Sequence, residues 1–353
     1  MAGWNATGFT GNESVTTQMT ALLDPGWQLV AAVQFYINYA VIGIGVVGVA
    51  ANSVVLYALI VCHAQAAKKC GVNLLIITQN CINLCCCVFI VICRAVFVGN
   101  VYLTGALGYT LCAFFISNCP AYCVLTASVI NLMTVTIERY LKVVYPLWSK
   151  RSLKRWMIYA VIVFSWIGGI LSTAPVAFLF SVVSDGRCFA YAFFVEKSFT
   201  PKRILNLGFL SVFVIPLVIF VYCYGHIVFM TRKQMRVMAG HNVEGSSAQS
   251  SSQVQSERAK WNVIKTMIIV SAFFAICYFP VNIYYLIVGD STPSHHLVMG
   301  YYIVLFLPYV NISLNPFIYA TKHEEVRQIL TSMVICQKRG DLSSVAGTQS
   351  MPQ

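Results

Sequence analysis

Seven long apolar stretches alternate with short polar segments along the chain. A helix that crosses the hydrocarbon core of a membrane needs about 20 consecutive, mostly apolar residues. Lipid offers backbone groups no hydrogen-bond partners, so such stretches must be helical. The pattern therefore predicts an all-α membrane protein, a seven-transmembrane helix bundle within residues 31–321, with spans at about 31–61, 71–97, 106–137, 156–184, 204–230, 264–289 and 297–321.

Basic residues gather at one set of span ends. If the N-terminus is outside, the inner segments hold most of the lysines and arginines, and the outer loops keep Arg187, Lys197, Lys202 and Arg203. Because cytoplasmic loops carry an excess of basic residues, we expect a multi-pass plasma-membrane protein with a cytoplasmic C-terminus. Asn5 and Asn12 begin glycosylation sequons on the outer tail, which fits this orientation.

Four segments are expected to lie outside the bundle. Residues 1–30 form an extracellular tail, 237–256 a flexible polar linker between spans 5 and 6, and 337–353 a cytoplasmic tail. Within 322–336, an apolar stripe at helical spacing predicts an amphipathic helix on the inner membrane surface, formed by Val326, Ile329, Leu330 and Met333. Cys336 at its end is either palmitoylated or a free thiol.

The composition indicates a membrane protein, and membrane topology then explains the positive net charge. Apolar residues make up 58% of the chain and charged residues 10%, which is too apolar for a soluble core. The charge of +12 follows from topology and attraction to anionic lipid, so no nucleic-acid partner is expected. Most of the 14 cysteines lie in apolar runs, where we expect reduced thiols. No phosphate loop or metal motif is present, so neither a cofactor nor an enzyme is expected.

Several motifs, each weak alone, occur in order on the seven spans. They are Asn52 in span 1, Glu138-Arg139-Tyr140 with Pro146-Leu147 after span 3, Trp166 in span 4, Pro216 and Tyr224 in span 5, Phe274 and Cys277-Tyr278-Phe279-Pro280 in span 6, and Asn315-Pro316-Phe317-Ile318-Tyr319 in span 7. Across about residues 30–336 the chain resembles the rhodopsin-like family of G-protein-coupled receptors. The resemblance implies a receptor that binds an extracellular ligand and activates a heterotrimeric G protein.

The Glu138-Arg139 pair has a physical basis for switching. An arginine at the inner end of a membrane helix is costly unless it is solvated or paired. The neighbouring Glu138 offers a pairing that can be broken, which makes a two-state element. The resemblance implies that Arg139 turns toward the G protein on activation. The alternative is an arginine that only reaches out to water. Pro216, Pro280 and Pro316 each remove a helix hydrogen bond and permit a kink.

The resemblance also implies a disulfide between Cys112 and Cys188 on the outer, oxidising side. Cys112 lies farther from Arg139 than the family spacing, and a bulge near Pro120 could absorb the extra residues. The alternatives are a Cys119–Cys188 pair or two free thiols.

The core departs from the family pattern at one informative position. The acidic residue that the family usually carries in span 2 is Asn83 here, and the expected polar network is neutral: Asn52, Asn83, Ser128, Asn311 and Asn315. An amide brings no charge to offset a cation in a low-dielectric core, so we expect no sodium regulation. A purely stabilising role for Asn83 is the alternative. The usual tryptophan before the proline of span 6 is Tyr278.

The ligand class is only partly constrained. The position of the retinal lysine is Tyr309, and the position of the amine-binding acid is Ala121, so retinal is excluded and a biogenic amine is not favoured. Candidate ligand-binding residues are Asn118, Tyr122, Tyr278, Asn282, Tyr285, Tyr301 and Tyr309, although such tyrosines often serve only for packing. Arg94 could hold a ligand carboxylate, as in a peptide or a small acid, or could reach to the outer surface.

Two functions other than signalling differ in how well they fit the sequence. A receptor-like protein that binds without activating a G protein is compatible with Asn83 and Tyr278. A transporter or channel would need two similar halves or a chain of ionisable groups, and the sequence has neither.

Overall fold

The computed structural model describes residues 24–65, 74–99, 101–190, 208, 210–241, 249–288, 294–322 and 326–332. In these ranges seven helices are long and apolar enough to cross a membrane, which confirms the predicted all-α bundle. They cover Pro25–Gln65 (span 1), Leu74–Val98 (span 2), Gly105–Val144 (span 3), Arg155–Phe180 (span 4), Leu210–His241 (span 5), Gln249–Val288 (span 6) and His295–Lys322 (span 7). A short helix, Pro146–Ser152, follows span 3.

Span 3 forms the centre of the bundle. It packs against spans 2, 4 and 5, while span 1 packs against spans 2 and 7, and span 6 packs against span 7. The apolar stretch of span 3 is 72% buried, whereas that of span 4 is only 17% buried. Span 4 therefore lies at the edge of the bundle, and its outward side chains, such as Leu171 and Leu179, need lipid to cover them.

The end of span 4 and the start of span 1 differ from the sequence prediction. Span 4 ends at Phe180 and not at 184, because Val182–Ser184 (β1) pairs antiparallel with Arg187–Phe189 (β2). The connecting Asp185 and Gly186 have positive φ angles of 50° and 71°, as a tight hairpin requires. Span 1 begins at Pro25, inside the predicted tail. There Asp24 Oδ1 accepts a 2.9 Å hydrogen bond from the Gly26 backbone, as expected of a helix cap.

The predicted linker between spans 5 and 6 is shorter than expected. Span 5 continues to His241 and span 6 begins at Gln249, so part of 237–256 is helical. Extending an existing helix avoids the cost of nucleation, and the polar residues here do not prevent it. The short helix after span 7 is described only over 326–332, where Val326 is fully buried and Ile329 and Leu330 pack against the core.

Candidate functional site

Span 3 contains a break that sets the position of the segment before Asn118. After Gly105–Thr110, the segment Leu111–Ile116 forms a π-helix, and Asn118 takes a left-handed conformation with φ 64°. A regular helix restarts at Cys119, with Pro120 in its first turn, where the missing N–H costs nothing. The wide turns of the π-helix take up residues without lengthening the span, so the predicted bulge exists just before Pro120.

The break places Cys112 beside β2. Cys112 and Cys188 form a disulfide with a Cα–Cα distance of 5.3 Å, which confirms this pair over the alternatives. Cys119 lies instead next to Cys123, with 3.9 Å between the two sulfur atoms. The disulfide marks one end of the bundle, here called the disulfide end. The opposite end, which holds Glu138 and Arg139, is called the Arg139 end.

At the Arg139 end, one buried carboxylate faces two cations. Glu138 Oε2 lies 3.6 Å from Arg139 Nε, and Lys142 contacts the other carboxylate oxygen. The Glu138 side chain is 7% exposed, whereas that of Lys142 is 44% exposed. Sequence reasoning missed Lys142, although its i,i+4 spacing from Glu138 is a signal for such a contact.

Two hydrogen bonds join span 3 to span 5 near this pair. The Tyr224 and Thr136 hydroxyls are 3.0 Å apart, and both side chains are buried. The Tyr140 hydroxyl lies 3.0 Å from His226 Nδ1, where the Tyr140 ring also contacts those of Tyr145 and Tyr222. His226 was not anticipated, because nothing in its sequence context distinguishes it.

The remaining predicted switch residues lie in the interior. Phe274 stacks on Tyr278 with ring centroids 4.3 Å apart, and its edge meets Phe220. Pro280 lies within the span 6 helix and Pro316 within span 7, which also contains Pro308. Asn315 and Tyr319 are buried in span 7.

A neutral hydrogen-bond network fills the middle of spans 2 and 3. Asn83 Oδ1 accepts from Ser128 at 3.0 Å and from Gln79 at 3.3 Å. Gln79 also donates to Ser128 at 2.6 Å and accepts from Asn131 at 2.7 Å. Gln79, one helical turn before Asn83, and Asn131, one turn after Ser128, were missed, because the sequence does not distinguish them from ordinary polar residues.

The other predicted members of this network lie apart from it. Asn311 and Asn315 are buried, but no hydrogen bond joins either to Asn83 in the part of the chain that the structure describes. The Asn52 amide donates to Gly48 O at 2.8 Å and contacts Cys87, whose sulfur is 3.7 Å from Ser313 Oγ. The described hydrogen bonds thus place Asn83 and Ser128 in one group and Asn52 in another.

A second polar group lies near the disulfide end. Arg94 Nη1 donates to Asn38 Oδ1 at 3.2 Å, and Nη2 donates to the Tyr309 hydroxyl at 2.9 Å. The same hydroxyl accepts from Asn118 Nδ2 at 2.7 Å. Arg94 thus points into the bundle, which contradicts the alternative in which it only reaches the surface. The group joins spans 1, 2, 3 and 7 through one arginine and one tyrosine.

The remaining ligand candidates lie on spans 3, 6 and 7. Tyr122 is partly buried, and Asn282 donates to the Tyr278 carbonyl of its own helix at 2.8 Å. Tyr301 packs on Tyr284, with ring centroids 5.7 Å apart. The Tyr285 side chain, Asn5, Asn12 and Cys336 lie outside the described residues.

Comparison with known proteins finds relatives over most of the chain. A family described as "7 transmembrane receptor (rhodopsin family)" matches residues 51–319. The chain is 25% identical to the oxytocin receptor of Ovis aries over 228 residues, which cover 60% of this chain and 57% of that receptor. It thus spans less than two thirds of that relative. It is 24% identical to the substance-K receptor of Bos taurus over 325 residues, 90% of this chain and 79% of that receptor.

Two further matches extend this result. The chain is 22% identical to the tachykinin-like peptides receptor 86C of Drosophila melanogaster over 237 residues, which cover 63% of this chain and 44% of that receptor. The crystal structure of squid rhodopsin superimposes with a TM-score of 0.67 at 16% identity and covers 85% of each chain. At that identity the superposition shows a common fold.

Proposed function

Because the chain belongs to the rhodopsin family of seven-transmembrane receptors, we propose that it binds an extracellular ligand and activates a heterotrimeric G protein. The ligand would enter at the disulfide end, and the G protein would dock at the Arg139 end. The protein would lie in the plasma membrane with the N-terminus outside. A disulfide forms in an oxidising environment, which supports placing that end outside the cell.

The Glu138–Arg139 pair carries this proposal. Arg139 lies 3.6 Å from Glu138, and its Nη2 atom is buried without a hydrogen-bond partner among the described residues. Lys142 contacts the same carboxylate, so Glu138 does not depend on Arg139 for charge balance. An arginine with an unused donor can leave such a pair at modest cost when carbonyl acceptors from a docking protein are offered.

A peptide is the ligand class that the relatives support. Their names refer to oxytocin, substance K and tachykinin-like peptides, and each covers a large part of this chain. A small organic acid is the other class, because Arg94 is a cation near the disulfide end. Tyr309 and Ala121 at the retinal and amine positions argue against those two ligands.

Nucleotide exchange on purified heterotrimers tests G-protein activation. Receptor in lipid nanodiscs is assayed with a panel of heterotrimers, with and without peptides that score in a library screen on cells carrying a promiscuous G protein. We expect Arg139→Ala to reduce exchange to the level without receptor while surface expression persists. Arg151→Ala is the matched control, because Arg151 is exposed on the same side. Full exchange by Arg139→Ala contradicts the switch assignment.

A receptor that binds without signalling is the second candidate. It is favoured by Tyr278, which stands at the family's usual tryptophan position and is buried against Phe274. Peptide binding by the wild type with no exchange on any heterotrimer would identify this function.

A further inference from the structure

Arg94 brings a positive charge into the bundle without an acidic counterpart among the described residues. Both ion pairs in the described ranges involve Glu138, at the opposite end of the bundle. The partners of Arg94 are neutral oxygens, Asn38 Oδ1 at 3.2 Å and the Tyr309 hydroxyl at 2.9 Å. These bonds orient the guanidinium but bring no negative charge.

An ionised group within a membrane bundle is costly unless an opposite charge compensates it, and it marks a functional site by default. The guanidinium has five N–H donors in a fixed fork, suited to a carboxylate. Its Nε atom is buried and has no hydrogen-bond partner among the described residues. Among the described residues, Arg94 therefore has neither a counter-charge nor a partner for its Nε–H, and its side chain remains partly accessible.

The Tyr309 hydroxyl connects Arg94 to span 3. It accepts from Arg94 on one side and from Asn118 Nδ2, at 2.7 Å, on the other. The Arg94 guanidinium carbon also lies 5.5 Å from the centre of the Tyr309 ring. Asn118 is the left-handed residue at the break in span 3. Any group that takes Arg94 away from Tyr309 would thus act on spans 2, 3 and 7 together.

We propose that Arg94 binds a carboxylate of the ligand, and that this carboxylate displaces the Tyr309 hydroxyl from the guanidinium. A carboxylate supplies the missing charge and accepts two parallel N–H bonds, so it is a stronger acceptor for Arg94 than a neutral phenol. Span 7 would then lose its bond to span 2 and keep the Asn118 bond. This inference rests on the proposed ligand site but not on G-protein coupling.

Thermal unfolding of the purified receptor in lipid nanodiscs tests the site without knowledge of the natural ligand. The probes are acetate, propionate and benzoate at about 100 mM and neutral pH, each compared with its primary amide and with chloride at equal ionic strength. If a carboxylate binds with a Kd of about 10 mM, the melting temperature rises by about 2–4 °C. We expect a rise with at least one acid and none with its amide or with chloride.

Variants of Arg94 and Tyr309 show whether the acid-specific rise in melting temperature comes from binding at Arg94. Arg94→Gln should lose the acid-specific rise, and Arg94→Lys, which keeps the charge but not the fork, should show a smaller one. Tyr309→Phe removes the competing oxygen and should keep or increase the rise. An unchanged rise in Arg94→Gln, or a loss in Tyr309→Phe equal to that in Arg94→Gln, overturns the proposal.

The wild type supplies a further decisive outcome. Three acidic residues of the predicted outer segments, Glu13, Glu196 and Asp290, lie outside the described residues, and each is a candidate counter-charge for Arg94. If the wild type shows no acid-specific rise and Glu13→Gln, Glu196→Gln or Asp290→Asn gains one, the chain itself neutralises Arg94. The absence of an acid-specific rise in the wild type overturns the proposal in either case. Failure of nucleotide exchange with an intact acid-specific rise would refute G-protein coupling and leave the carboxylate site in place.

Discussion

The side-chain amide of Asn131 donates a 2.7 Å hydrogen bond to the amide oxygen of Gln79, and this bond joins span 3 to span 2 where both residues are fully buried. The Gln79 amide nitrogen in turn donates to Ser128 and Asn83. One glutamine therefore serves three partners, and all four side chains are neutral.

Gln79→Leu should lower the free energy of unfolding by about 1–3 kcal/mol. The substitution leaves buried polar groups of Asn131, Ser128 and Asn83 with fewer partners, and each unsatisfied group is costly. Thermal unfolding of the purified receptor measures the loss. Thr78→Ala is the neighbouring control, because among the described residues its hydroxyl bonds only the Leu74 carbonyl of its own helix, at 3.0 Å. Equal losses of unfolding free energy in the two variants would show that the hydrogen bonds of Gln79 to span 3 do not stabilise the receptor.

Sodium should not affect the wild-type receptor. Asn83 brings no charge to the core, and its Nδ2 is a buried donor without a partner among the described residues, which disfavours a nearby cation. Melting temperatures are compared in sodium chloride and in the chloride of a bulky organic cation. Asn83→Asp should gain a sodium-specific rise, because a carboxylate supplies the missing charge. A sodium-specific rise in the wild type would contradict this view of the core.

Alanine should destabilise the receptor at Gly169 but not at Gly168. A Cβ at Gly169 would overlap the Cys123 backbone carbonyl, which cannot move without shifting span 3, so Gly169→Ala should destabilise by about 1–3 kcal/mol or more. A Cβ at Gly168 would meet only the tip of Ile130, 2.9 Å away. Gly168→Ala should therefore be neutral or slightly stabilising, because alanine favours a helix. Expression yield and thermal unfolding measure both, and the opposite order would contradict the observed packing of spans 3 and 4.

Cys188→Ser should reduce delivery to the cell surface. The disulfide attaches β2 to span 3, and loss of a native disulfide costs about 2–5 kcal/mol. Surface labelling measures the effect, with Cys223→Ser as the control because Cys223 is a free thiol. Peptide mapping without reduction should recover the Cys112–Cys188 link. A linked Cys119–Cys188 peptide would contradict the described register of span 3.

The fold could be predicted from the sequence because its cause is simple. Lipid forces long apolar stretches into helices, so the seven spans follow from hydropathy alone. Span ends were harder to place. Val182–Ser184 is as apolar as the helix before it, and only the Asp185-Gly186 turn indicates a hairpin. Short apolar runs do not distinguish strand from helix by themselves.

The site could be predicted only in part. Glu138 and Arg139 could be identified as a candidate switch from the sequence. They form a recurrent motif, and a charged pair at the end of a membrane helix has a clear physical role. The partners of Asn83 and Arg94 depend on how helices rotate against one another, which hydropathy does not determine. Gln79 and Asn38 therefore emerged only from the packed structure, whereas the i,i+4 spacing of Lys142 from Glu138 could have indicated their contact.

The π-helical turn at Leu111–Ile116 limits how this receptor can be compared with others. Residues from Cys119 to Val144 lie on one uninterrupted helix, so counting back from Arg139 gives correct structural equivalents there, including Ala121. Before Asn118, toward the disulfide end, the same count assigns each side chain to the wrong face of the helix. Structural equivalents of the segment from Gly105 to Ile116 must therefore be aligned from the Cys112 disulfide, and homology models that use a single count will place the wrong side chains inside the bundle at the disulfide end.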